Sequence, residues 1–225
     1  MKWNGLPVII FGSGGISKEV YYLLKDINSS VHQQVYDFLG FVDTDQSMVG
    51  TEIIDGYKIV SSDEYISELA SSYPVIGMII PIGNPNIKQL IFEKVKNISN
   101  VVFPNIIHPT VNYDHMNIEM GFGNIFTAGV KLTCDIKFGS FNLLNLNSTV
   151  GHDTEIGSYN VINPLVAVSG SVLLKDNCLV GTGAQILQGV TIHSRATVGA
   201  GAVVVKNVES NTTVIGIPAK PILKV

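Results

Sequence analysis

Apolar residues recur at every sixth position from Met120 to about Glu209, at Met120, Phe126, Leu132, Phe138, Leu144, Val150, Ile156, Ile162, Val168, Leu174, Val180, Ile186, Ile192, Val198 and Val204. The residue four further on is usually small or β-branched, as at Ser148, Thr154, Val166, Val172, Cys178, Ala184, Val190, Ala196, Ala202 and Val208. A helix repeats apolar residues near 3.6 and a flat strand at 2, so this spacing needs a coil whose every face presents the same inward position. Three such faces make a triangular turn of about eighteen residues, and stacked turns pair as parallel strands. The glycines and asparagines directly after the inward residue (Gly121, Gly139, Asn145, Gly151, Gly157, Asn163, Gly181 and Gly199) suit corners, where positive φ or close backbone approach is needed. The pattern predicts a parallel β-helix.

The first hundred or so residues carry a different pattern. The apolar run Leu6 to Phe11 leads into Gly12-Ser13-Gly14-Gly15 and then into helical spacing with Val20, Leu23 and Leu24 on one side. Strand, glycine turn and helix in that order let backbone N–H groups and the helix N-terminus face an anion, most often a phosphate. A second strand near Phe38 to Val42 ends in Asp43-Thr44-Asp45, carboxylates placed for ribose hydroxyls or a base edge. A third, Val75 to Ile80, runs into Pro81-Ile82-Gly83-Asn84-Pro85, a helix to about Asn97, and a short strand at Val101 to Phe103. Three βα units predict a small Rossmann-like parallel sheet. Gly-x-Gly-Gly alone is a weak motif, equally explained by tight strand-to-helix packing, and Ser17 stands where a dinucleotide fold has its third glycine. A domain this small fits half a dinucleotide, meaning a nucleotide-sugar, better than NAD.

Composition divides the 225 residues at the same place, into an α/β domain over 1–104 and a β-helical domain with its C-terminal tail over 105–225. A net charge of −4 gives no basic footprint for nucleic acid or an anionic membrane. The apolar runs are too short to span a bilayer and Met1-Lys2-Trp3-Asn4-Gly5 lacks a signal-peptide pattern, so a cytoplasmic protein is expected. With only Cys134 and Cys178, neither a disulfide nor a metal site is expected.

Candidate chemistry concentrates in Asn145-Leu146-Asn147-Ser148-Thr149-Val150-Gly151-His152-Asp153. With Val150 inward, His152 and Asp153 fall at a corner or on the outer face, where a neutral imidazole can take a proton while a carboxylate orients it. A surface histidine beside an aspartate is the bland alternative. Counting by eighteen places Cys134 below His152 and Gly170 above it. A glycine there leaves its N–H open to an acyl carbonyl, as an oxyanion donor needs, although Ser169-Gly170 could equally be a plain corner.

Together these residues resemble the left-handed β-helix acyltransferases, in the branch with an N-terminal nucleotide-sugar domain, the sialic acid O-acetyltransferase and amino-sugar N-acetyltransferase group (NeuD/PglD-like). The resemblance runs through Val8 to Gly15, Gly40 to Asp45, Ile82-Gly83-Asn84, Ile107 to Val111, Asn145 with Gly151-His152-Asp153, Val198 to Val204 and Gly216 to Ile222. It implies left-handed coils, homotrimers with active sites between subunits, acetyl-CoA as co-substrate and a nucleotide-linked amino-sugar acceptor in surface-glycan biosynthesis. His152 would then be the general base, Asp153 its partner and Asn145 a sugar or nucleophile contact. Gly170, Gln188, Asn163 and Lys206 are the candidate acetyl-CoA contacts; Gly12, Ser13, Gly14, Gly15, Asp43, Asp45, Gly83 and Asn84 are those for the nucleotide-sugar. Two positions depart from the branch: Ile16-Ser17-Lys18 follows the glycine turn, and Val161 stands where a second histidine is usual, leaving its coenzyme contact absent or supplied elsewhere, with Asn163 the candidate. O-acetylation of sialic acid or another sugar hydroxyl, an acceptor without a nucleotide, and a non-catalytic trimeric binding module are the competing expectations.

Overall fold

The structure is a computed structural model that describes residues 3–222. Its contacts divide the chain into two compact units, one formed by Met1–Gly83 and Ile87–Pro109, the other by Asn84–Asn86 and Thr110–Val225. Among the described residues no helix is long and apolar enough to cross a membrane.

In the first unit, β1 (Leu6–Phe11), α1 (Gly15–Ser30), β2 (Tyr36–Asp43), β3 (Glu52–Ile54), β4 (Tyr57–Ser62), α2 (Ile66–Ser71), β5 (Ile76–Ile79), α3 (Pro85–Val95, which belongs to this unit from Ile87 on) and β6 (Val101–Val102) follow in chain order. They build a sheet in the order β3-β4-β2-β1-β5-β6, parallel throughout except for β3 against β4. β1 lies at its centre and Val8, Ile9 and Ile10 are fully buried, which explains an unbroken apolar run where a half-exposed strand would alternate. The sheet is larger than three βα units require, because a hairpin joins β3 to β4. Asp55 and Gly56 turn it with φ of 51° and 82°, the positive values that an Asp-Gly hairpin turn uses.

The second unit is a left-handed parallel β-helix. Its strands are two or three residues long and those from Ile118 to Val204 pair in parallel with the one a full turn away, so that Val150 sits beside Leu132 and Val168, and Val168 beside Ile186; the last, Lys220–Ile222, runs antiparallel, against Thr213–Ile215. Of the fifteen apolar positions, all from Phe126 to Val204 are buried and only Met120, at the open lower end, is partly exposed. The second inward position of each hexapeptide is buried too, from Ser148 to Val208.

Corners differ from the expectation in one respect. Positive φ falls three residues after the inward residue, at Asp135, Phe141, Asn147, Asp153, Tyr159, Leu165, Ser171, Asn177 and Arg195 among others. The glycines directly after the inward residue serve close approach instead: a Cβ on Gly151 would lie 2.6 Å from the Gly170 nitrogen, and one on Gly181 would lie 2.5 Å from the Ala200 nitrogen. Coil closure forces the left-handed conformation even on aromatic and branched residues, overriding their local preference.

One interior column is polar. Asn124, Asn142 and Asn160, each 0% exposed, stack at the coil spacing. Asn124 Oδ1 accepts from the Asn142 backbone N–H at 2.9 Å and from its Nδ2 at 3.0 Å; Asn142 Oδ1 repeats both bonds with Asn160 at 3.1 Å. Asn160 Oδ1 then accepts from the Cys178 N–H at 2.8 Å. Burying an amide is tolerated here because each rung satisfies the next.

Asn142→Ala keeps the backbone N–H that donates to Asn124 Oδ1 but removes the Oδ1 acceptor of the Asn160 N–H and Nδ2, and should lower unfolding free energy by about 1–3 kcal/mol in denaturant titration without changing coil secondary structure. In the first unit Lys88 is 1% exposed, and burial pushes its ammonium from the ordinary 10.5 down to about 7. The unfolded chain holds that proton up to its own higher pKa, so unfolding takes up a proton between the two values and stability should rise from pH 7 toward pH 10. Chemical denaturation across that range should show the rise in the wild type, and less of it in Lys88→Met.

Candidate active site

Within the β-helix, Thr149–Val150 ends at Gly151 and the chain turns a corner through His152 and Asp153, both exposed. Asp153 takes φ of 56°, the left-handed value that closure imposes at this step of every face. His152 Nδ1 lies 2.7 Å from Asp153 Oδ2. A carboxylate on Nδ1 makes that nitrogen the donor and leaves Nε2 as the basic one.

The next coil shapes the space around the ring. The Ser171 N–H donates to the His152 carbonyl at 2.7 Å, which sets the register. A Cβ on Gly170 would stand 2.6 Å from both Cε1 and Nε2 of His152, so the imidazole lies over the Gly170 α-carbon and fits only because that residue has no side chain. Among the described residues the Gly170 N–H donates to no protein acceptor, unlike the Ser169 N–H before it and the Ser171 N–H after it. Gln188 and Lys206, both exposed, continue the column at the next two coils. Below His152, the Cys134 carbonyl accepts from the Asp153 N–H at 3.2 Å. The Cys134 thiol, though exposed, is pushed up by desolvation against its neighbours and by Asp135 and Asp153, which disfavours the nucleophilic thiolate.

Asn145 and Asn163 belong to another face. They follow the paired inward residues Leu144 and Ile162, so they stack on one another and not in the His152 column. Asn145 is 8% exposed, and Asn163 Nδ2 donates to the Val180 carbonyl at 3.0 Å. Val161 is buried in the strand beside Leu143.

In the first unit the glycine turn joins β1 to α1. Gly12 has φ of 84°, and its N–H donates to the Val42 carbonyl. Cβ atoms on Gly14 and Gly15 would meet nothing within 4 Å, so these two glycines are not explained by strand-to-helix packing. Gly14 caps α1 without a side-chain bond, leaving the first-turn N–H groups to face outward. Ser17 tucks beneath the turn, 1% exposed, with Oγ donating to the Phe11 carbonyl. Ser13 Oγ donates to Asp43 Oδ2 at 2.5 Å, which ties the turn to the end of β2. Asp45 instead caps the 3-10 turn Gln46–Met48, accepting from the Ser47 N–H and Oγ, bonds that pull its carboxyl below the usual range. Gly83 is exposed, and Asn84 Oδ1 accepts from the Asn86 N–H at 3.0 Å at the start of α3. Two groups not singled out from sequence are the buried Lys88 on α3 and Asp63, which directly follows β4 and lines one cavity with Gly12 and Asp43. Asp63 is readable only once the Asp55-Gly56 hairpin signal has placed β4 beside β2.

Two family models match this chain: the PglD N-terminal domain over residues 7–95 and the bacterial transferase hexapeptide (six repeats) over residues 171–206. GDP-perosamine N-acetyltransferase of Escherichia coli O157:H7 is 32% identical over 181 residues, which cover 80% of this chain and 77% of that protein. The chain belongs to the PglD-like sugar acetyltransferases of the hexapeptide-repeat superfamily. Among solved structures, perosamine N-acetyltransferase from Caulobacter crescentus, crystallised as a histidine-to-asparagine variant with CoA and GDP-perosamine, superposes with a TM-score of 0.87 at 27% identity over 97% of each chain. The acetyltransferase domain of PglB from Neisseria gonorrhoeae, in complex with acetyl coenzyme A, shares the fold with a TM-score of 0.84 at 24% identity, over 97% of this chain and 100% of that one. Among the described residues no group of three or more His, Cys, Asp and Glu side chains could hold a metal ion.

For this acetyltransferase the fit of His152 over Gly170 gives a direct test. Gly170→Ala should push the imidazole off its position, and a displacement of about 1 Å is enough to cost roughly 100-fold in kcat. Thermal unfolding within a few degrees of wild type would show that the coil still stacks.

Proposed function

We propose that this chain transfers the acetyl group of acetyl-CoA to the amine of a nucleotide-linked amino-sugar, in surface-glycan biosynthesis, with His152 as general base. The observation that carries the reading is the imidazole held between the Asp153 carboxylate at 2.7 Å and the bare α-carbon of Gly170. Acetyl-CoA supplies an activated acetyl thioester when bound. His152 Nε2 takes the proton of the amine as its nitrogen bonds to the acetyl carbon, Asp153 stabilises the imidazolium, and the Gly170 N–H donates to the oxygen on which negative charge develops. The carbon–sulfur bond breaks as the proton passes from His152 to the departing thiol. No enzyme-bound acyl group is required, in keeping with the protonated Cys134.

Gln188 and Lys206 extend the Gly170 column away from His152, a track along the coils for the length of the coenzyme, with Lys206 offering a polar contact on it and Asn163, on the other face, one from a neighbouring subunit. Asn145 is assigned to the sugar or its nucleophile. Because Asn145 and His152 lie on different faces of one coil, a site using both is completed by a second subunit, which supports a homotrimer with inter-subunit sites. Gly12 to Gly15, Asp43, Asp45, Gly83 and Asn84 are assigned to the nucleotide-sugar. The amine is favoured over a hydroxyl by the names of the E. coli and C. crescentus relatives, both N-acetyltransferases.

A panel of GDP-, UDP- and dTDP-linked amino-sugars and free sialic acid, assayed with acetyl-CoA, should give N-acetylated product with a nucleotide-linked amine and none with sialic acid. His152→Ala should lower kcat by about 10²–10⁴ while acetyl-CoA affinity stays within about twofold. Retention of most of the turnover in that variant would remove His152 from the base role.

A further inference from the structure

A cavity of about 160 Å³ opens at the C-terminal edge of the first unit's sheet. Ile82, Ile87 and Ile91 form an apolar wall, and Gly12, Asp43 and Asp63 line it as well. The ends of β1, β2 and β4 follow one another across the sheet, neighbours lying about 4.8 Å apart. A nucleotide whose phosphate sits at the glycine turn after β1 has its ribose one strand along, at Asp43, and its base a further strand along, at Asp63.

Asp63 is held firmly. Its N–H donates to the Asp43 carbonyl at 3.1 Å, and its side chain, 8% exposed, accepts through Oδ2 from Lys94 Nζ at 2.5 Å. The second oxygen remains as an acceptor at the cavity, with an ammonium beside it and a flat apolar wall of isoleucines for a ring to lie on. This pairing carries chemical information. A carboxylate offers acceptors only, and guanine alone among the common bases presents two adjacent donors, N1–H and the 2-amino group, next to an acceptor, O6. Uracil and thymine place a single N–H between two carbonyl oxygens, which a desolvated carboxylate repels.

We propose that Asp63, positioned by Lys94, reads the base of the nucleotide-sugar and selects guanine. The inference rests on the reading that the glycine turn holds a nucleoside diphosphate, and it adds the residue that decides which one.

Isothermal titration of the full-length protein with GDP, IDP, UDP and XDP tests it. Wild type should bind GDP about tenfold more tightly than IDP, which lacks the 2-amino group, and about 100-fold more tightly than UDP. Asp63→Asn exchanges one acceptor for a donor and should invert the order, binding XDP, whose 2-position is a carbonyl, more tightly than GDP. A purely structural role for Asp63 would weaken all four ligands alike. Equal affinity of wild type for GDP and IDP, or an Asp63→Asn protein that still prefers GDP to XDP, overturns the base assignment alone. Absence of binding by all four overturns the nucleotide reading itself. Should Asp63→Asn fail to fold, the wild-type comparison of GDP with IDP decides the matter without it.

Discussion

Everything in the second unit depends on one constraint: each short strand of the coil hydrogen-bonds to the strand one full turn away, so a position on one rung is tied to the same position on the next. Thr149 pairs with Ala167 and Val150 with Val168, and the Gly151 N–H donates to the Val168 carbonyl. Such a stack has little tolerance for slippage, because shifting one coil by a single residue would turn its inward Val and Ile side chains out and its polar ones in. Register therefore fixes the core and the surface columns at the same time. His152 meets Gly170 for the same reason that Val150 meets Val168.

That shared origin explains how a small set of side chains can make a site on a surface without deep folds. The corner directs His152 outward, the adjacent residue in the left-handed conformation brings its carboxylate back to Nδ1, and the coil above contributes only backbone. His152 and Asp153 are exposed at their corner, so in the proposed inter-subunit site a neighbouring copy would supply the surface that encloses the second substrate. The first unit works by a different rule. Its glycine turn, Asp43 and Asp63 all lie at the ends of parallel strands, where a doubly wound sheet leaves backbone groups and loop side chains free to meet a ligand.

The coil was legible from sequence because its signal is long and redundant: the apolar beat survives any single exception, and the spacing of eighteen that it sets also located Gly170 over His152. The interior asparagines were harder. Asn124, Asn142 and Asn160 read locally as turn residues, and only their mutual spacing marks them as one buried stack. Positive φ at Phe141, Tyr159, Leu165 and Arg195 leaves no trace in the sequence at all, since closure of the coil imposes it on residues that would not choose it. In the first unit β1, β2, β5 and α3 were readable from apolar runs. Asp63 was not, because its meaning depends on β4 lying next to β2, a pairing that a short hairpin creates and no periodicity announces.

Gly170 shows why the two kinds of information differ. Its role could be guessed from counting, but spacing alone leaves a corner glycine and a substrate-facing glycine indistinguishable, since both need a bare α-carbon. The two differ in what would be struck: a Cβ on Gly151 would meet backbone, whereas a Cβ on Gly170 would meet the imidazole. Backbone contact asks for glycine to let coils approach, and any coil of this kind needs it. Contact with one titratable side chain asks for glycine only if that side chain must lie there. The absence of a Cβ at position 170 is thus accounted for by the placement of His152.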